Sequence, residues 1–177
     1  LGQVEIAGLD TNVEFLKRLA THPAFVAGQV ETGFIAKHRD ALLPAPQPAS
    51  RRVLAYAAIY LIERAQHEQR AAAHMRDAWT LPALAGFRLN VPGHSTLALG
   101  DPAAGGAPRS VQLDRHERGY TLHIDGQKLE AGALTSLARD GVLTCELDGV
   151  VTRVSCLEDE GGRLHLFADG EHHVLQQ

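Results

Sequence analysis

The hydrophobic pattern of this chain changes its period once, near Trp79. Beyond that point apolar residues recur at every second position. Leu97 and Leu99 do so, then Val111 and Leu113, Leu122 and Ile124, Leu143, Cys145 and Leu147, and Leu164 and Leu166. That period belongs to strands with one buried face. Asp125-Gly126, Asp148-Gly149 and Asp169-Gly170 sit between such runs, and Asp-Gly supplies the two positive-φ residues of a tight type I′ hairpin. The implied registers keep the apolar residues on one face. Leu122 falls opposite Leu129, Leu147 opposite Val150, and Leu164 opposite Leu175. The pattern predicts about eight antiparallel strands of roughly five to seven residues.

Before Trp79 the periods are helical. Thr11-Asn12-Val13-Glu14 has capping-box spacing and opens a helix through Phe15, Leu16 and Leu19 that stops at His22-Pro23. A second short helix includes Phe34 and Ile35. Pro44-Ala45-Pro46-Gln47-Pro48 is a stiff extended linker, because each Pro disfavours helix in the residue before it. Ser50 is a plausible N-cap, and nothing from there to about Asp77 breaks a helix roughly 40 Å long. Val53–Ile62 is apolar all round, whereas Glu63–Arg70 is nearly all polar. A helix apolar on every side must be wrapped by protein. The expected fold is therefore α+β: about eight antiparallel strands forming a barrel around a long central helix, preceded by short helices. Eight strands normally close on an interior filled by side chains alone. Ala55, Ala57, Ala58 and Ala65 make this helix thin, and its polar half is expected to project from the barrel mouth.

Composition narrows the class. The 177 residues are 45% hydrophobic and 21% charged, enough for one moderate globular domain and a short extra segment. A net charge of −4 without basic clusters argues against nucleic acid as a partner. The longest apolar run, about ten residues, falls short of the ~20 that a membrane span needs. With no initial Met and no signal-like start, the chain reads as a piece of a longer protein. Cys145 pairs with Thr152 in the expected hairpin, which leaves Cys156 roughly 13 Å away, beyond disulfide reach. Both are expected to be free core thiols.

Candidate chemistry is sparse. Of ten histidines, adjacent His172 and His173 point to opposite faces of a strand, and His67 and His74 lie two helical turns apart. His116, His123 and His165 read as solvated surface residues. His173, in register beside Leu164 and Leu166, reads as a hydrogen-bonded interior residue. Glu158-Asp159-Glu160 reads as a solvated acidic turn. There is no nucleophile motif and no phosphate-binding loop, since Gly100–Gly106 lacks the required glycine spacing. No catalytic, cofactor-binding or metal-binding residue is expected. Glu63, Arg64, His67, Glu68 and Arg70 support i,i+3 and i,i+4 pairing. They are either an ordinary wet face or a partner-docking surface.

Certain short segments carry a resemblance. Gly8-Leu9-Asp10-Thr11-Asn12 and Thr32-Gly33-Phe34-Ile35 resemble the closing helices of biotin carboxylase domains. Trp79, Gly86-Phe87-Arg88-Leu89-Asn90, Gly119-Tyr120, Cys145 with Gly149, and Leu166-Phe167 with Gly170 are similar to positions in the α subunits of biotin-dependent acyl-CoA carboxylases. The Gly-x-Arg-Leu-Asn detail favours methylcrotonyl-CoA carboxylase, an enzyme of leucine catabolism, over the geranyl-CoA and propionyl-CoA enzymes. The resemblance covers nearly the whole chain. It implies that residues 1–43 are the tail of a biotin carboxylase domain, 44–49 a Pro-rich linker, and 50–177 a BT mediator domain, a barrel around a helix. That domain would join biotin carboxylase to the carboxyltransferase β subunit, alongside the biotin carrier domain of its own chain. Biotin and ATP/Mg would serve the parent enzyme, a ligase. The Ala-Met-Lys-Met segment that carries biotin in this family is missing: Met75 is the sole Met, and Lys17, Lys37 and Lys128 lack that setting. The fragment alone is therefore expected to be inactive. The expected compartment is soluble, a bacterial cytoplasm or the mitochondrial matrix of a eukaryote. A competing reading is a small-ligand-binding barrel with an open interior.

Overall fold

The computed structural model describes residues 4–7, 11–45, 47–73, 93–102, 105, 107–132 and 134–177, without the side chains of 69, 70, 72 and 73. Trp79, Gly86–Asn90, and the helix beyond residue 73 with His74 and Met75 lie outside the described residues. Four short helices come first: α1 (Val13–Thr21), α2 (Pro23–Val26), α3 (Phe34–Lys37) and α4 (Arg39–Leu42). The long helix α5 (Arg51–Ala73) follows. Then come β1 (Gly93–Gly100), β2 (Pro108–His116), β3 (Gly119–Ile124), β4 (Gln127–Ala131), β5 (Ser136–Leu137), β6 (Val142–Leu147), β7 (Val150–Glu158), β8 (Arg163–Ala168) and β9 (Glu171–Gln176).

Eight strands form a closed ring in the order β4-β3-β2-β1-β9-β8-β7-β6, shut by the pairing of Ala131 with Leu147. The two-residue β5 adds to β6 beside that closure. Every described pairing is antiparallel, and the hairpin registers are those the alternation implies: Leu122 with Leu129, Leu147 with Val150, Cys145 with Thr152, Leu164 with Leu175. Asp125, Asp148 and Asp169 have φ near 50°, each followed by a positive-φ glycine, as the tight turns require. Gly119, at φ 129°, starts β3 where a Cβ would lie 2.0 Å from the Ala131 carbonyl oxygen. No side chain fits there.

Inside the ring sits α5. All residues from Val53 to Tyr60 are buried, and they share one core with Leu113, Leu122, Ile124, Leu143, Leu147, Leu166, Leu175 and the other inward strand residues. The helix touches β2, β3, β5, β6, β7 and β8, so strands face it on opposite sides. Its start is fixed twice. Ser50 Oγ accepts from the Val53 N–H at 3.3 Å, the expected cap. One residue earlier, the Ala49 N–H donates to Asp101 Oδ2 and the Ala49 carbonyl accepts from Arg109, both at 2.5 Å. Residues from β2 and the β1–β2 connection thus clamp the linker to the barrel.

The N-terminal segment departs in detail from expectation. Asn12, not Thr11, is the N-cap of α1, and its side chain makes no capping bond. Glu14 then falls at the second helical position, too early to close a capping box. It still lies in the positively polarised first turn and pairs with Arg18 at 3.8 Å. His22 caps α2, accepting from the Ala24 N–H at 3.3 Å. Among the described residues before Ala49, only Phe34 and Leu42 are buried.

Candidate interaction surface

Where α5 leaves the barrel, its polar residues meet the rim. Tyr120, 3% exposed on β3, donates its hydroxyl to Glu63 Oε1 and accepts from Gln66 Nε2 at 3.5 Å. Burial and the adjacent Glu63 carboxylate push the Tyr120 hydroxyl up to about 12. Arg64 pairs with Glu158 at the end of β7 and with Glu68 at 3.5 Å, its guanidinium 5.8 Å from the Tyr60 ring centroid. Two of the five sequence-predicted docking residues, Glu63 and Arg64, are therefore half-buried struts between helix and barrel. His67 and Glu68 face solvent, and the Arg70 side chain lies outside the described residues. The i,i+4 pairing appears as Arg64–Glu68. Polarity along one segment could find these residues, but not Tyr120 and Glu158, which come from distant strands.

Other surfaces are apolar. Val150 and Val151 are half-exposed at the tip of the β6–β7 hairpin, and Val26, Val30, Ile35 and Leu43 are exposed on the N-terminal segment.

The histidines need one correction. His165 is not a solvated surface residue: it is 4% exposed, its Nε2 lies 3.2 Å from Asp159 Oδ2, and its Nδ1 lies 2.9 Å from His172 Nε2. It points outward as its register demands, yet Asp159 and the stacked His172 ring flank it. The acidic turn is likewise more than solvated. Asp159 Oδ1 accepts from the Gly161 and Arg163 N–H groups, and Oδ2 takes the Arg163 side chain. Those bonds, with His165, hold its carboxyl far below the usual carboxylate range. His173 sits opposite Leu166 as expected and is half-buried, with Nε2 3.6 Å from Glu171. His67, His116 and His123 are exposed.

Among the described residues no three His, Cys, Asp or Glu side chains are placed to hold a metal ion. Cys145 and Cys156 are free and buried, and burial pushes their thiols up to about 11 and about 12. The three lysines are each engaged at the surface. Lys17 donates to the Gly170 carbonyl, Lys37 pairs with Glu31 at 3.1 Å, and Lys128 with Glu130 at 2.5 Å. The helix fills the place a barrel ligand would take. Clefts of about 580 and about 160 Å³ lie instead between the N-terminal segment and β9. No described helix is long and apolar enough to cross a membrane.

Comparison with known proteins agrees with this geometry. The family described as the BT domain of the methylcrotonyl-CoA carboxylase α subunit matches residues 50–177. The mitochondrial methylcrotonoyl-CoA carboxylase subunit alpha of Mus musculus is 38% identical over 172 residues, 95% of this chain and 23% of that protein. Its counterpart in Dictyostelium discoideum is 44% identical over 90 residues, 51% of this chain and 13% of that protein. In Arabidopsis thaliana the identity is 37% over 59 residues, 33% of this chain and 8% of that protein. The chain thus spans less than a quarter of the length of each of these relatives.

Proposed function

Since this chain belongs to the BT domains of methylcrotonyl-CoA carboxylase α subunits, we propose that it is a non-catalytic assembly module linking biotin carboxylase to the carboxyltransferase β subunit. The observation that carries this reading is the filled interior. Val53–Tyr60 engage the inward faces of the strands, so the barrel has outer surface and a projecting helix to offer other molecules, not a cavity. Residues 1–43 are then the tail of the carboxylase domain, 44–49 the linker and 50–177 the mediator. The parent would be a ligase that carboxylates biotin with ATP/Mg and passes CO2 to methylcrotonyl-CoA. Biotin and ATP/Mg would be held by other parts of that protein. The compartment would be the bacterial cytoplasm or the mitochondrial matrix, the latter in line with the relatives' printed names.

The contribution of this module would be geometric. A tethered carrier delivers its group only where both active sites lie within reach, and its effective concentration falls steeply when the span is wrong. The clamp on Ala49 and the buried half of α5 would keep linker, helix and barrel in one orientation.

The test is a pull-down of the 177-residue chain on the cognate carboxyltransferase β subunit, with sedimentation to size the complex. A stoichiometric complex is expected without biotin or ATP. His67→Glu with Glu68→Lys should weaken it by about tenfold, or about 1.4 kcal/mol, while the melting temperature stays within a few degrees. Wild-type chain that fails to bind would overturn the reading.

A further inference from the structure

The chain holds four Asp-Gly pairs: Asp125-Gly126, Asp140-Gly141, Asp148-Gly149 and Asp169-Gly170. All four aspartates are exposed in turns. Such a pair can react with itself, because glycine has no Cβ to keep its backbone nitrogen away from the carboxyl group one residue earlier. Two conditions decide whether it does. The carboxyl must be able to turn toward the amide, and the amide N–H must be able to give up its proton.

Three of the pairs are held. Arg109 bonds the Asp125 carboxylate and keeps it below the usual carboxylate range, hence ionised and a poor electrophile. Asp148 Oδ1 accepts from the Glu130 N–H at 3.0 Å, and the Asp148 N–H donates to the Glu130 carbonyl at 2.8 Å. That turn is tied to β4 from both directions. Asp140 Oδ1 accepts from the Val142 N–H, and the Gly141 N–H itself donates to the Ala138 carbonyl, both at 3.2 Å. Asp169 differs. Among the described residues its carboxylate makes no hydrogen bond or ion pair, and the Gly170 N–H has no acceptor. Arg52 attracts the Asp169 charge through space but bonds Tyr56 instead. Lys17 engages the Gly170 carbonyl, which leaves the N–H of that residue open. Backbone shape does not separate Asp169 from Asp125 and Asp148, since all three have φ near 50°. The difference lies in the bonds to the carboxylate.

We propose that Asp169-Gly170 is the site at which the folded chain forms isoaspartate, and through it a substrate for a repair methyltransferase of the class that esterifies isoaspartyl carboxylates. The Gly170 nitrogen attacks Asp169 Cγ. A Cγ–N bond forms, a Cγ–O bond breaks, and the amide proton leaves with the carboxyl OH as one water, giving a succinimide. Water then adds to the main-chain carbonyl carbon of Asp169 and breaks its bond to the Gly170 nitrogen. The chain now runs through Cγ, the former main-chain carbonyl is a carboxylate, and no oxidant or reductant takes part. The product carries one extra backbone carbon in a turn that the pairing of Ala168 with Glu171 holds at two residues.

Ageing the 177-residue chain for weeks at pH 7, native or in denaturant, tests this. Isoaspartate is located by peptide mapping and by labelled methyl transfer from S-adenosylmethionine. A hydrogen bond surrendered before cyclisation slows it by about tenfold, or about 1.4 kcal/mol. In the native chain the Asp169 peptide should therefore hold about tenfold more isoaspartate than any of the other three. In denaturant, where those bonds are gone, the four pairs should react at similar rates. Asp169→Glu should abolish the native signal at this position and leave the other three unchanged. Asp169→Asn keeps the turn, since Asn-Gly suits type I′, and should speed the reaction by expelling ammonia in place of water. Equal native yields at all four pairs, or a greater yield at Asp125, Asp140 or Asp148, would overturn the proposal. So would a native chain that forms none at Asp169 while the denatured chain does. A preference for Asp169 that persists in denaturant would also overturn it, by placing the cause in the local sequence and not in the fold.

Discussion

Tyr120 makes the barrel wall and the central helix depend on one hydroxyl. The group is buried and donates to Glu63 while receiving from Gln66. Tyr120→Phe leaves a half-buried carboxylate without its donor, at a cost of about 1–3 kcal/mol. The melting temperature should fall by roughly 2–4 °C per kcal/mol in a chain of this size. The same bond has a pH signature. The folded hydroxyl titrates at about 12, above the unfolded value near 10. Its contribution is therefore complete below pH ~10 and is lost as pH rises through about 12. Denaturant melts at pH 8 and pH 11 should show that loss in the wild type beyond whatever Tyr120→Phe shows. Equal losses would remove Tyr120 from the account. The thiols give a second residue-level expectation. With both pushed to about 11 or higher by burial, Cys145 and Cys156 should resist thiol reagents at pH 8 until the barrel unfolds. Rapid labelling of either in the native state would mean that the core opens locally.

The helix inside the barrel is a demanding element, because its whole circumference is in contact with protein. Ala58 is 0% exposed, with neighbours Ala55 and Ala57 equally buried. Ala58→Glu would bury an unpaired charge at about 3–5 kcal/mol, a large share of a typical domain's stability. Loss of the cooperative melt is expected, and a transition near that of the wild type would mean the helix can leave the barrel. This element was legible in the sequence because Val53–Ile62 has no polar face, and the hairpins were legible because Asp-Gly chemistry is local. Contacts across the fold were not. Asp101 and Arg109 reach Ala49 over 52 and 60 residues, and nothing in their own segments marks them as clamps. His165 misled for a related reason. An outward phase on a strand means exposure only where neighbouring side chains leave it open, and Asp159 and His172 close in on His165. At the candidate surface the polarity of Glu63–Arg70 was readable. The split between Glu63 and Arg64 as struts and His67 and Glu68 as exposed surface depended on partners in β3 and at the end of β7.

At the scale of the whole molecule the chain is one core with an appendage. The buried cluster begins at Ala49 and takes none of the described residues before it. Lys17 to Gly170 and Ser155 to Glu5 are exposed bonds that join the N-terminal segment to the barrel. Exposed polar contacts of this kind contribute about 0–1 kcal/mol each. A chain lacking residues 1–46 keeps Ala49 with both of its clamps and Ser50 with its cap. It should melt cooperatively within about 5 °C of the full chain. Residues 1–43 alone have only Phe34 and Leu42 buried among the described positions, too little apolar burial to offset the ordering of the backbone. That peptide should show no cooperative transition by circular dichroism. A collapse of the shortened chain would mean that the barrel needs its N-terminal cover, and the two parts would then have to be treated as one folding unit. Survival would make the barrel an autonomous body. Attaching and detaching the N-terminal segment would then cost the barrel little.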